Sequence, residues 1–190
     1  AHHDFAKVRH MLAENPELLN ENASWVETPI QAAAHVGNRE IAEYLLQQGA
    51  PLDICTAAML GYEDEVASML AENPILSQAS GAHDIPVMYY PAISGNISIA
   101  ERLLAAGADV NAGEGGNTPL HGAAGFGHAE MARWLLEHDA NPFAVDFNGK
   151  TPVELAQANG HTVVTELLRP YTDLDQQGDI VDVTPDEPGT

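Results

Sequence analysis

The chain has 190 residues, enough for one compact domain or one short array of repeats, and at 45% hydrophobic it can bury a core. Its 28 acidic residues against 7 basic ones give a formal charge of −21, which repels phosphate backbones and anionic lipid, so neither nucleic acid nor membrane is expected as a partner. No apolar run approaches the ~18 residues of a spanning helix, and the lone Cys55 cannot form an internal disulfide, so the fold does not depend on an oxidising compartment.

The opening residues, AHHDFAKVRHMLAENP, read as the second half of a helix pair and predict a half unit over residues 4–20. From there a pattern repeats. Apolar pairs that close amphipathic helices fall at Met11-Leu12, Leu45-Leu46, Met69-Leu70, Leu103-Leu104, Leu135-Leu136 and Leu167-Leu168, at spacings of 34, 24, 34, 32 and 32 residues. A second marker is glycine, at Gly37, Gly61, Gly95, Gly127 and Gly160. Five units are predicted, starting near residues 25, 52, 85, 117 and 150, with helices near 28–36, 40–48, 54–60, 64–71, 98–105, 119–125, 129–137, 152–158 and 162–168.

The second unit follows Gln47-Gln48-Gly49-Ala50-Pro51 directly, and about nine residues are missing. That is the length of the β-turn finger that would project between units, so no finger is expected there. The binding edge should show a gap between the turns near Trp25 and near His83. The third unit replaces the usual small helix formers with DIPVMYYPAISGN, Asp84 to Asn96. Pro86 stands where the fourth unit has Thr118, and Tyr89 where it has His121. Pro91 in a helix interior would cost about 3 kcal/mol, so the helix is predicted to start late, near Tyr90 or Pro91. The fourth unit, NTPLHGAAGFGH, is the most regular: Thr118 caps, Pro119 fits the first helical position, Ala123 and Ala124 allow close approach, and Gly127 ends the helix. The fifth is predicted to carry a one-residue deletion between Gly160 and its second helix. After Arg169 an acidic tail, residues 170–190, leaves the pattern.

GNTPLHGAAGFGHAEMARWLLEHDAN from Gly116, GKTPVELAQANGHTVVTELL from Gly149, ETPIQAAAHVGNREIAEYLLQQGA from Glu27 and AERLLAAGADVN from Ala100 resemble the ankyrin repeat, with its period of about 33 and T-P-L-H-x-A signature. The likeness, taken as that of a bacterial-type ankyrin repeat domain, covers about residues 4–169. It implies an all-α solenoid of stacked helix–turn–helix units over 1–169, followed by the tail. It also implies that His121 braces neighbouring units by hydrogen bonds.

No catalytic constellation stands out, and no enzyme activity is expected. His2 and His3 have no third ligand at metal-site spacing, and there is no H-E-x-x-H, so neither metal nor cofactor is expected. AVDFNGKT, Ala144 to Thr151, lacks the first glycine of a phosphate loop, and GEGGN, Gly113 to Asn117, reads as a turn. Cys55 takes the place of His121 in its own unit and reads as a small buried side chain.

The resemblance implies protein binding through a concave face and turn tips, and it does not fix the partner. The expected contact residues are Trp25, His35, Val36, Met59, Leu60, Tyr89, Tyr90, Ile93, Phe126 and Asn159, of which the apolar ones would form an exposed patch. Packing between units is the competing reading for the same side chains. The charge favours a basic protein partner; the alternatives are an acidic decoy imitating nucleic acid to block a basic protein, which would need its carboxylates in a regular stripe, and, behind it, an enzyme. A monomer is expected, with the tail as a route to self-association. A cytoplasmic location is expected, or a periplasmic one if a leader precedes Ala1.

Overall fold

In the computed structural model the described residues are 4–22 and 27–172, and they form helices joined by turns, with no strand among them beyond one isolated bridge between Ser80 and Pro86. In chain order the helices are α1 (Phe5–Glu14), α2 (Pro29–His35), α3 (Arg39–Gln47), α4 (Ile54–Leu60), α5 (Glu63–Glu72), α6 (Tyr89–Ser94), α7 (Ile97–Ala105), α8 (Pro119–Phe126), α9 (Ala129–Glu137), α10 (Pro152–Ala158) and α11 (Thr162–Thr172). Short 3-10 turns follow α1 at Pro16–Leu19 and α5 at Pro74–Gln78, and a third lies at Ala82–Asp84. The expectations for Trp25, and for the tail beyond Thr172, lie outside the described residues.

Helices pair within units and then stack. The inner helices α2, α4, α6, α8 and α10 contact one another in succession, and α5 with α7 and α9 with α11 pack as outer neighbours. Alanines make the inner stack possible. Ala33, Ala34, Ala57, Ala58, Ala92, Ala123, Ala124 and Ala156 are all buried, and a larger side chain at any of them would push two helices apart. The first turns are closed by side chains: Thr28 and Thr151 form reciprocal capping boxes with Gln31 and Glu154, and Asp53, Asn38, Asn96 and Thr118 each accept an amide of the helix they precede. Gly127 closes α8 with φ +79°, a conformation that costs a residue with a Cβ.

The finger after α3 is absent, as the spacing predicted: Gly49 to Asp53 leads straight into α4. The gap is not open, however. The 3-10 turn Ala82–Asp84, which belongs to the next finger, packs on α2 and bridges the place where a finger is missing. All seven residues of α4 are buried.

α6 starts at Tyr89, one residue earlier than expected. Pro91 is then its third residue, within the first turn, where no helical N–H bond is lost. The deletion predicted after Gly160 does not exist. The second helices begin two residues after Gly127 and after Gly160 alike, and Leu168 is the buried residue matching Leu135, not Leu167. The pair Leu167-Leu168 sits one residue closer to its helix start than Leu135-Leu136 does.

Candidate interaction surface

Three histidines tie the units together. The Thr118 hydroxyl lies 2.8 Å from Nδ1 of His121, and Nε2 of His121 donates to the Lys150 carbonyl at 2.9 Å, in the next unit. Nε2 of His128 reaches the Ile93 carbonyl at 2.9 Å, and Nε2 of His161 the Gly125 carbonyl at 2.9 Å, each binding back to the preceding unit. Burial holds the His121 imidazole below its usual pKa, against the opposing pull of the Lys150 carbonyl and Asp146. Cys55 is buried beside Asp53, and both effects push its thiol up, which keeps it protonated and unreactive.

The third unit has no bracing histidine and uses aromatic packing instead. Tyr89 and Tyr90 meet edge to face, ring centroids 6.0 Å apart. Tyr89 lies against Gly122 of the following unit, where a Cβ would stand 3.0 Å from its ring carbons. Tyr90, 1% exposed, lies under Gly81 of its own finger. Burial pushes the Tyr89 phenol up to about 12, so it titrates outside the physiological range.

The contact residues expected on the concave face are therefore divided. Met59, Leu60, Tyr89, Tyr90 and Ile93 are buried, a correction with a clear cause. The units curl so tightly that Phe126 spans the face. A Cβ on Gly37 of the first unit would sit 2.8 Å from Cε1 of Phe126 and 3.7 Å from Cδ1 of Ile93. Phe126 and Ile93 both lie over Gly37, the turn Ala82–Asp84 packs on α2, and every residue of α4, Met59 and Leu60 among them, is buried. Phe126 itself stays 40% exposed, Asn159 is exposed and bonds the Gly125 carbonyl at 2.8 Å, and His35 and Val36 are half-buried. Phe126→Ala is expected to cost about 1–2 kcal/mol, below the range for a fully buried Phe. It should also speed hydrogen exchange in α4, which is measurable segment by segment; unchanged exchange would show that the crossing does not shield α4.

An exposed apolar cluster among the described residues is absent from the contact residues expected from the sequence. It lies on the last finger, where Phe143, Val145 and Phe147 are all exposed, Phe147 to 70%. Alternation of apolar residues in NPFAVDF was the available signal. The finger is held rigid by its own bonds. The carboxylate of Asp146 accepts the amides of Asn148 at 2.8 Å and Lys150 at 2.9 Å, and the Asp146 amide donates to the Lys150 carbonyl at 2.9 Å. Burial pushes the Asp146 carboxyl up, but those amide bonds outweigh it and hold the group below its usual value. At the base, Asn141 and Asn111 link this finger to the previous one, the Asn141 backbone amide donating to Oδ1 of the Asn111 side chain at 2.7 Å. The carbonyl of Lys150 also receives His121, so the inner helix and the finger share one acceptor.

A smaller cluster sits where the turn Ala82–Asp84 meets α2. Glu27 Oε2 is 3.3 Å from His35 Nδ1 and 3.4 Å from His83 Nε2. Elsewhere, an apolar pocket of about 330 Å³ lies between α1 and α2, lined by Val8, Leu12, Leu18, Ala33 and Ile41 among others. No helix among the described residues is long and apolar enough to cross a membrane.

Comparison with known proteins matches residues 87–178 to a family model described as ankyrin repeats (3 copies) and residues 27–57 to one described as ankyrin repeat. The chain is 42% identical over 89 residues to the ARF GTPase-activating protein Git of Drosophila melanogaster, which covers 46% of this chain and 12% of that protein. It is 40% identical over 93 residues to Rabankyrin-5 of Mus musculus, covering 42% of this chain and 8% of that one. Over 182 residues, 85% of the chain, it is 27% identical to the nuclear factor NF-kappa-B p105 subunit of Gallus gallus, of which it covers 18%. The chain thus spans a small part of the length of each.

Proposed function

We propose that this chain, which belongs to the ankyrin repeat family, is a non-catalytic scaffold that binds a protein partner through its last finger, with Phe126 and Asn159 extending the contact. The observation that carries this is Phe147, 70% exposed on a finger with internal hydrogen bonds. A solvent-exposed aromatic on a rigid turn loses little entropy on binding, which is what an interface anchor requires. Phe143 and Val145 beside it enlarge the apolar patch. The net charge of −21 favours a basic partner, because opposite charge speeds encounter while the apolar finger supplies the dwell time.

The double variant Phe143→Ser/Phe147→Ser tests this. Both side chains are exposed, so the urea midpoint should move by no more than about 0.5 kcal/mol equivalent. Affinity for the protein retained by the wild-type chain should fall at least tenfold, and its association rate should fall with added salt. Undiminished affinity in the double variant would remove the finger from the interface. A salt-independent association rate would remove the basic character of the partner.

A further inference from the structure

We infer that Glu27, His35 and His83 form a binding site for a divalent transition-metal ion of the Zn²⁺ class, fastening the first unit to the finger of the third. The ligand atoms of the three residues all lie within 4.8 Å of one another. Two of the separations, 3.3 Å from His35 Nδ1 to Glu27 Oε2 and 3.4 Å from His83 Nε2 to the same oxygen, suit one ion. Ligands at bond lengths of about 2.1 Å around a tetrahedral ion stand about 3.4 Å apart. The imidazole rings meet edge to face, at 87° and 5.1 Å between centroids, so neither ring stacks over the other.

Burial and backbone geometry point the same way. Glu27 is 1% exposed, an unusual place for a carboxylate, and it faces two imidazoles there. The His83 side chain is 46% exposed, which leaves an entry for the ion and a fourth position for water, as in three-ligand sites. His83 and Asp84 both adopt left-handed backbone, with φ +56° and +57°. Two consecutive non-glycine residues in that region are strained, and such strain persists where surrounding structure demands it. Here it turns His83 back toward α2. Two histidines and one carboxylate are a donor set for Zn²⁺ or Co²⁺, whereas Mg²⁺ prefers oxygen ligands in an octahedron. His35 Nδ1 also lies 3.3 Å from the Gln31 carbonyl, so coordination exchanges that contact for the metal and leaves the ring proton on Nε2.

The site exists because the second unit has no finger. A finger of ordinary length after Gly49 would stand between α2 and the turn Ala82–Asp84 and keep His83 away from Glu27. The ligands come from two units that do not adjoin in sequence, which is why ligand spacing gave no sign of them.

Titration of the full chain with Zn²⁺, followed by calorimetry, and with Co²⁺, followed by visible absorption, tests the site. His83→Asn is the informative variant, because Asn tolerates left-handed backbone and removes the imidazole; His35→Gln is the second. Expected for the wild type are one strongly bound Zn²⁺ per chain, a raised melting temperature reversed by chelator, a tetrahedral Co²⁺ spectrum, and no response to Mg²⁺. Both variants should keep the helical circular dichroism of the wild type, bind at least tenfold more weakly and lose the spectrum. A wild type that binds no Zn²⁺ at one equivalent would overturn the inference. So would folded variants that bind as tightly as the wild type, which would place the ion on other histidines of the chain.

Discussion

Gly81→Ala is expected to destabilise the protein by about 3 kcal/mol, at the upper end for overpacking. A methyl group there would stand 2.8 Å from Cζ of Tyr90, closer still to its hydroxyl oxygen, and 3.3 Å from Cε2. Tyr90 is 1% exposed and has nowhere to move. The Gly81 backbone, at φ −97° and ψ −146°, also lies outside the regions that a residue with a Cβ favours, so a backbone cost adds to the clash with Tyr90. Tyr90→Phe removes the oxygen and should recover part of the loss in the double variant, with a coupling energy of about 1 kcal/mol or more. Urea unfolding of the two single variants and the double variant measures it. A shift below about 0.5 kcal/mol for Gly81→Ala, or strict additivity with Tyr90→Phe, would show that the finger moves freely over the ring.

His121→Ala should cost about as much, roughly 3 kcal/mol, since it deletes two buried hydrogen bonds and leaves a cavity at a unit junction. The loss should also reach the finger, because the Lys150 carbonyl that His121 binds is the acceptor for the Asp146 amide. Partner affinity should therefore fall in His121→Ala even though residue 121 is buried. The histidine also gives the protein a pH signature. Its folded pKa lies below the 6.5 of the unperturbed group, because burial disfavours the imidazolium. The unfolded chain then binds the proton more readily, so the stability His121 contributes is full above about pH 6.5 and is lost as pH falls from there through the folded pKa. The carboxyls of Asp146 and Glu154, lowered from 3.8 and 4.5, act in a separate window: their contribution is present above those values and is lost as pH falls below them. Unfolding free energies between pH 8 and 5 should decline for the wild type and decline less for His121→Gln. Equal slopes for the two chains would mean that His121 is not the group that titrates.

The amino-acid sequence by itself determined the helices and their stacking. Thr-Pro at a helix start, paired alanines, a glycine stop and apolar pairs at regular spacing are local features, and each acts within a few residues. The missing finger was legible for the same reason: a solenoid unit contacts mainly its neighbours, so a short spacing has a short-range meaning. Even the buried tyrosines were half legible, since a helix deprived of its cap and its bracing histidine must be compensated by bulk.

Tertiary structure alone decided which of the inner-face residues meet solvent. Curvature accumulates over several units, and the crossing of Phe126 onto Gly37 depends on the sum of small rotations, none of which is written in one repeat. That sum buried Met59, Leu60 and Ile93 and left exposure to the last finger. It also brought His83 to Glu27 and His35, because removing one finger lets the next reach back across a whole unit. Residues far apart in the chain meet only when the stack closes, and the distance between them is then set by packing and not by spacing.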